Sequence, residues 1–288
     1  MKKLFLIAFL GSSIVAIAQT PGAIHFKKGQ KLEIVTETKK ATSMDFMGQS
    51  MENKVNSTVT ESYDVENMTD NAATIEYKVK RVLVTAEGMG RTESFDSEKE
   101  GDRKGELGKM LEKGLKNKYT MEVDKSGNII AVKADDDNPH AKRTPEEEAV
   151  SEMLAMQFGL NFGLPKTGSS SIFKLLPGKA LTTGETWTEN TDVNGVKKTA
   201  NYKVASITDE DIIIDFTEES TINTKQDMMG AEAIITGNEK SNGRITLDKS
   251  TGIFKSKTFT KESKANIEAQ GMSIPTTDKT TVTVTVKG

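Results

Sequence analysis

Residues 63–77, YDVENMTDNAATIEY, and residues 202–216, YKVASITDEDIIIDF, are two copies of one pattern. Each copy opens on a tyrosine and a valine, continues through a Thr-Asp pair and ends on isoleucine, acid and aromatic ring. A second pair of segments, VDKSGNI at 123–129 and LDKSTGI at 247–253, repeats at a smaller separation than the first pair. One insertion in the first copy explains the difference, so the chain contains a duplicated unit.

Apolar and polar residues alternate with a period of two through most of both units. The runs at 75–79 and 282–286 are examples, and the second is rich in valine and threonine. Alternation with one polar face is typical of an antiparallel sheet with one solvated side. β-Branched side chains suit such a surface. Glycine, asparagine and aspartate between the runs predict tight turns.

Two stretches have helical spacing instead. The first, at about 105–117, carries an apolar stripe of Leu107, Met110, Leu111 and Leu115. The second begins at Thr144 with a capping residue, a proline and a glutamate three residues after the cap. We therefore predict an α+β fold dominated by β-structure. It would be an internally duplicated antiparallel sheet, as a half-barrel or an open curved sheet, with two helical segments packed on it.

The domain organisation follows from these elements. We assign a signal peptide to 1–18, a first β-rich repeat to 19–143, a central helix and linker to 144–181, and a second β-rich repeat to 182–288. Either unit alone would expose sheet edges, which proteins normally cover or pair. This favours one continuous sheet, and two separate domains are the alternative.

The first 18 residues have the composition of a secretory signal. Lys2 and Lys3 precede an apolar run at 4–10, and Ala16-Ile17-Ala18 is a small-residue cleavage site. We predict cleavage after Ala18 and a periplasmic or secreted protein. No later segment is apolar enough to predict a transmembrane span.

Composition argues against several classes of protein. The chain has no cysteine, two histidines and a formal net charge of −3, with basic residues scattered among acidic ones. This pattern offers no basic stripe for nucleic acid. It also lacks the motifs of nucleophilic, metal-dependent and phosphate-binding enzymes. We expect no cofactor, no metal site, no catalytic residues and a monomer.

Methionines lie near the centres of four alternating stretches, where hairpins would turn. Two of these stretches fall in each unit, so the methionines follow the duplication. Methionine is flexible and polarisable, which suits contact with a variable apolar ligand. The alternative is that these methionines cap the end of the core. The candidate ligand-binding residues are Phe46, Met47, Met51, Met89, Met228, Met229 and Met272.

The chain resembles a family of uncharacterised exported proteins from Bacteroidota, about 300 residues long. The resemblance is carried by Gly29-Gln30, by the two repeated Thr-Asp units, by Leu176-Pro177-Gly178 with Gly184-Glu185-Thr186-Trp187, and by the Leu247–Gly252 turn. The family has no assigned activity, so the resemblance implies no catalytic residues. At the level of fold, a curved sheet covered by helices is similar to periplasmic lipoprotein carriers.

The sequence therefore favours a non-enzymatic exported binding protein that holds an apolar ligand or lipid in a curved sheet. One alternative is an envelope module whose open sheet edges pair with another protein. A second alternative is a hydrolase with an unrecognised pair of carboxylates.

Overall fold

The computed structural model describes residues 22–46, 48–88, 90–134, 163–228, 231–269 and 271–287. The strands are β1 (Lys31–Phe46), β2 (Gln49–Met68), β3 (Ala72–Gly88), β4 (Arg91–Asp96), β5 (Lys118–Asp124), β6 (Ile129–Ala134), β7 (Thr186–Val193), β8 (Val196–Ile207), β9 (Asp211–Met228), β10 (Ala231–Asp248), β11 (Phe254–Ala269) and β12 (Met272–Lys287). The helices are α1 (Glu100–Lys104) and α2 (Glu106–Leu115).

The described strands form one antiparallel sheet. Its order is β6-β5-β3-β2-β1-β12-β11-β10-β9-β8-β7, and β4 pairs with β3 beside this path. The first and last strands are neighbours near the centre, where Ile34 pairs with Val286 and Met44 with Thr276. The strands at the two ends of this order, β6 and β7, are not paired with each other. The predicted β-dominated antiparallel fold is confirmed, as an open sheet.

The duplicated segments form equivalent hairpins. Tyr63 pairs with Tyr77 across β2 and β3, and Tyr202 pairs with Phe216 across β8 and β9. Both ladders shift register just after the repeated valine that follows the tyrosine. Each hairpin closes with the same turn, in which the Thr69 or Thr208 hydroxyl accepts hydrogen bonds from the backbone amides two and three residues further on. The sequence repeat is therefore a repeat of backbone geometry.

The second repeated segment is a pair of aspartate-centred turns. The Asp124 carboxylate accepts hydrogen bonds from the backbone amides of Ser126 and Asn128. The Asp248 carboxylate accepts from the amides and hydroxyls of Ser250 and Thr251. Burial by itself raises the pKa of Asp248, but these hydrogen bonds outweigh it and lower the pKa to about 2.

The helical insertion interrupts one strand of the first unit. In the second unit, β10 pairs with β9 along its whole length. In the first unit, the same side of β3 is shared by β4, beside 83–88, and β5, beside 72–78. Helices α1 and α2 connect these two strands. The strand that is continuous as β10 is therefore split into β4 and β5.

Helix α2 confirms the first predicted helix and packs on the sheet. Its leucines, Leu107, Leu111 and Leu115, join a small core cluster with Val55, Val82, Val84 and Phe95. Met110, which we expected on the same stripe, is 40% exposed because it falls on the opposite edge of the helix from Leu115. The second predicted helix, beginning at Thr144, lies outside the described residues.

The main core lies on one face of the sheet, which we call the interior face. It includes Ile34, Ile75, Ile214 and Ile245, all fully buried. The segments that precede β1 and β7 cover this face at the end away from the hairpins β1–β2, β9–β10 and β11–β12. They contribute Ile24, Phe26, Phe173, Leu176 and Leu181. The core therefore fills only one end of a long sheet.

We expect Asp248→Ala to lower the free energy of unfolding at pH 7 by about 2 kcal/mol, because a charged acceptor of several hydrogen bonds is lost. The folded-state pKa lies below the unfolded value, so the carboxylate stabilises the fold above about pH 4. This stabilisation is lost as the pH falls towards 2. Denaturant titrations from pH 2 to pH 7 measure the difference, which should shrink below pH 4.

The control is Asp209→Ala, since Asp209 is exposed in the neighbouring turn. It should change the free energy of unfolding by less than about 0.5 kcal/mol. An equal loss in both variants, or a difference that is constant from pH 4 to pH 2, would contradict the role given to the Asp248 turn.

Candidate functional site

Two zones lie beyond the core on the interior face. Directly paired residues of neighbouring strands point to the same face, and successive residues alternate, so the registers assign each side chain to a face. The zone next to the core is polar, and we call it the polar belt. It consists of Lys40, Thr42, Asp278, Thr280, Lys261, Ser263, Glu239, Ser241, Glu218, Ser220 and Lys198.

The charges of the polar belt are arranged in pairs. Its ion pairs are Lys40–Asp278 at 3.6 Å, Lys261–Glu239 at 3.1 Å and Lys198–Glu218 at 3.4 Å. The small hydroxyl side chains of Ser220, Ser241 and Ser263 are buried among them. The belt is therefore a nearly neutral polar strip across six strands.

An apolar zone follows the polar belt towards the hairpins, and we call it the apolar band. It consists of Met44, Met51, Ile222, Ala233, Ile235, Ala265, Ile267, Ala269, Ile274 and Met272, with Thr224 and Thr276 at interior-face positions among them. Most of these side chains are half-buried, and Met272 is 40% exposed. Neither core cluster includes any of them. The apolar band is thus a separate apolar surface on the interior face.

The opposite face of the same strands is polar. On β11, for example, the residues that alternate with the band are Lys264, Asn266 and Glu268. Ile234, the outward neighbour of Ile235 on β10, is an apolar exception on this face. The apolar character of the band is therefore a property of one face.

A row of aromatic rings borders the polar belt on its core side. Trp187 stacks on Tyr202 with ring centroids 4.9 Å apart, and its indole Nε1 is buried with no hydrogen-bond partner. Phe216 and Phe259 lie on either side of Gly243 in the ladder, with ring centroids 6.1 Å apart. A Cβ at position 243 would come within 2.5 Å of the Phe259 Cβ, so glycine is required for these rings to close over the strand.

Lys257 reaches this aromatic row from β11. Its Nζ lies 4.9 Å from the centroid of Phe216 and 5.3 Å from that of Phe259. Burial lowers the pKa of Lys257, the Lys198 ammonium lowers it further, and the Glu218 carboxylate opposes the shift. Lys257 is therefore a partly desolvated cation held by two ring faces, and its backbone lies on the core side of the aromatic row.

The first unit carries a buried carboxylate among tyrosines. The Tyr77 hydroxyl donates a 2.7 Å hydrogen bond to Glu61, and Tyr77 stacks on Tyr119 with centroids 4.4 Å apart. Burial raises the pKa of Glu61, and hydrogen bonds from Tyr77 and Tyr63 partly offset this. Unlike Lys257, Glu61 has hydrogen-bonding partners.

The predicted methionine sites have different outcomes. Met51 and Met272 lie on the interior face in the apolar band. Phe46 and Met228 end β1 and β9, but their side chains lie outside what the structure describes. Met47, Met89 and Met229 lie outside the described residues, and each is flanked by a paired hairpin. The registers of these hairpins place all of the turns at one end of the sheet.

The sequence pattern did not predict most residues of the apolar band, and it did not predict Lys257. Met44, Ile222, Ile235, Ile267 and Ile274 lie three to seven residues from the hairpin turns, on strands whose sequences alternate without any distinguishing feature. Counting back from each turn in steps of two would have found them. Lys257 carries no comparable signal, because lysines are frequent along β11.

Neither a metal cluster nor a spanning helix is found in the described part of the chain. No group of three histidine, cysteine, aspartate or glutamate side chains there could hold a metal ion. None of its helices is long and apolar enough to cross a membrane.

A family profile described as a family of unknown function (DUF6263) matches residues 70–254, which is more than half of the chain. The chain belongs to DUF6263. The match runs from the first Thr-Asp turn to the start of β11, so it includes most of both repeated units. The resemblance to an uncharacterised family is confirmed. No curated protein matches the chain.

Solved structures similar to this DUF6263 chain are outer membrane channels. Pseudomonas aeruginosa OccK5 (OpdH) is 7% identical with a TM-score of 0.27, over 91% of this chain and 99% of that one. A channel from Pseudomonas putida F1 is 8% identical with a TM-score of 0.22, over 93% and 99%. TM-scores this low do not establish a common fold.

We expect Glu61→Gln to gain stability relative to wild type as the pH rises. Because the pKa of Glu61 is higher in the folded state, the protonated side chain stabilises the fold below the unfolded-state pKa of about 4.5. This stabilisation is lost as the pH rises through the folded-state pKa. The variant keeps an acceptor for Tyr77 without the buried charge. Its relative free energy of unfolding should rise by about 1 kcal/mol between pH 4.5 and pH 8 in denaturant titrations.

Glu66→Gln is the control, because Glu66 is an exposed acid on the same strand. A pH profile of Glu61→Gln parallel to that of Glu66→Gln would contradict a buried, charged Glu61.

Proposed function

We propose that this DUF6263 protein is a non-enzymatic binding protein of the cell envelope that holds a lipid acyl chain on the apolar band. The observation that carries the proposal is the position of this band. It lies on the interior face, beyond both core clusters and beyond the polar belt.

Hydrocarbon fits this surface better than a peptide does. The band lies on strands whose backbone groups are already paired on both sides. A peptide laid across it would find no backbone partners, and its N–H and C=O groups would be costly to bury. An acyl chain has no such groups. Full burial of an exposed isoleucine or methionine contributes about 1.5–3 kcal/mol, and each half-buried side chain of the band would contribute a part of this on contact with the acyl chain.

The proposed location rests on residues 1–18, which lie outside the described residues. Their charged start, apolar run and small-residue cleavage site support export to the periplasm or beyond. An exported protein with an exposed surface that binds acyl chains would be suited to bind lipids of the envelope.

A second candidate is an envelope interaction module that uses the β7 edge. All β7 side chains except Trp187 are exposed, and Val193 is 61% exposed. The β6 edge is partly used, since Ile129 exchanges backbone hydrogen bonds with Gly168 and Ser169. A partner strand could extend the sheet at β7. Cross-linking from β7 in cells should then capture one defined protein.

A hydrolase is the least supported alternative. Glu61 has a raised pKa, but tyrosine hydroxyls hold it, whereas hydrolysis by paired carboxylates needs a second acid at a suitable distance.

Binding of a fluorescent acyl-chain probe to delipidated protein tests the proposal. We expect Ile267→Gln to weaken probe binding about tenfold, because a polar amide replaces a band side chain. The matched control is Ile234→Gln, since Ile234 is also half-buried but lies on the opposite face. It should change the affinity less than about twofold. No probe binding by wild type, or equal losses in both variants, would overturn the proposal.

A further inference from the structure

The outer side of β7 is an open edge of the sheet. In the described part of the chain, β8 is the only strand that pairs with β7, and their ladder has no register shift. Proline, lysine and bulges commonly prevent a further strand from adding to an edge. The β7 sequence, TWTENTDV, contains neither proline nor lysine, and its two charged residues are Glu189 and Asp192. This edge is therefore regular and open to pairing.

The free backbone groups of this edge belong to the even-numbered residues. The Glu185 carbonyl accepts a hydrogen bond from the Val204 amide at 2.9 Å, so Glu185 is bonded towards β8. Every second residue of an antiparallel strand bonds to the same neighbour. The odd-numbered residues of β7 therefore bond to β8, and the even-numbered residues present their N–H and C=O groups to the free side. These are the groups that an added strand has to pair.

The apolar side chains of β7 are placed symmetrically about its centre. They are Trp187 and Val193, which lie on the interior face with Asn190 midway between them. Val193 is 61% exposed. A two-fold axis through Asn190 would place Val193 of one molecule opposite Trp187 of the other, and the reverse, as in any two-fold interface. The two apolar side chains of this edge thus complement each other.

The acids of β7 favour this axis over its neighbours. With the axis at Asn190, Glu189 lies opposite Thr191 of the other molecule. Asp192 then lies opposite Thr188 of the other molecule. An axis at either acid would place that acid directly opposite itself, which destabilises an antiparallel pair. An axis at either threonine would place Glu189 opposite an apolar side chain.

We propose that β7 pairs with β7 of a second molecule of this chain, antiparallel and with the two-fold axis at Asn190. The axis is normal to the sheet, so the two 12-stranded sheets join with both interior faces on the same side. This dimer does not depend on acyl-chain binding. It differs from the monomer expected from the sequence, because the edge and its register become visible only in the structure.

The size of the interface sets the expected affinity. Stable interfaces bury about 1,200–2,000 Å² in total, and a single pair of eight-residue strands buries less. We therefore expect a dissociation constant of about 1–100 µM. Sedimentation velocity should show a mostly monomeric protein at about 0.5 µM and a mostly dimeric one at about 200 µM.

Single-cysteine variants test the register, because the chain has no cysteine of its own. Asn190→Cys should form an intermolecular disulfide under mild oxidation, since residues paired at the axis have Cα atoms about 5.5 Å apart. The matched control is Asp192→Cys. Asp192 is also exposed on the same side of the same strand, but its two copies would be about 14 Å apart along the strands. This variant should form no disulfide dimer.

A second pair of variants tests the backbone pairing. Asp192→Pro removes an N–H that points to the free side, which an edge strand tolerates, so the variant should fold and dimerise at least about tenfold more weakly. Asp192→Ala removes the same carboxylate but keeps the N–H. It should dimerise as tightly as wild type. Circular dichroism checks that both variants are folded.

The outcomes are decisive for the dimer and leave the acyl-chain site to its own test. A wild-type protein that is monomeric at about 200 µM would overturn the proposal. Equal disulfide formation by the two cysteine variants would also overturn it, as would cross-linking of β7 in cells to a different protein. If Asp192→Pro does not fold, the comparison of the two cysteine variants decides.

Discussion

The pairing of β1 with β12 is the constraint on which the rest of the structure depends. It joins the start of the first unit to the end of the second, so that two short meanders become one sheet. Without this ladder, each unit would expose an additional edge, which favours uncontrolled strand pairing. With this ladder, the rows of side chains on the interior face continue from the first unit into the second. The polar belt and the apolar band exist as continuous zones only because of this register.

The two duplicated units share one backbone arrangement, but the charged side chains on their interior faces differ. In the first unit, Glu61 is buried among tyrosines that donate hydrogen bonds to it, and a helical insertion covers part of the sheet. In the second unit, the Lys257 ammonium lies over the ring faces of Phe216 and Phe259. The two units therefore place different charged groups on the interior face, an acid in the first and a partly desolvated lysine in the second.

Local features of the fold could be predicted from the sequence because short-range physics determines them. The Asp248 turn, the α2 helix and the hairpins beside Gly48 and Gly271 follow from turn chemistry and periodicity. The β1–β12 ladder could not be predicted, because it joins residues at opposite ends of the chain. The band was missed for the same reason: Met44 and Ile267 become parts of one surface only after the register is known.

Methyl resonances of methionine and isoleucine test the central claim most directly, because both residue types occur in the core and in the band. We predict that a bound acyl chain shifts the signals of Met44, Met51 and Ile267, while those of Ile75 and Ile214 in the core stay in place. Shifts confined to the core or to the outer face, with the band unaffected in the presence of bound ligand, would contradict the account.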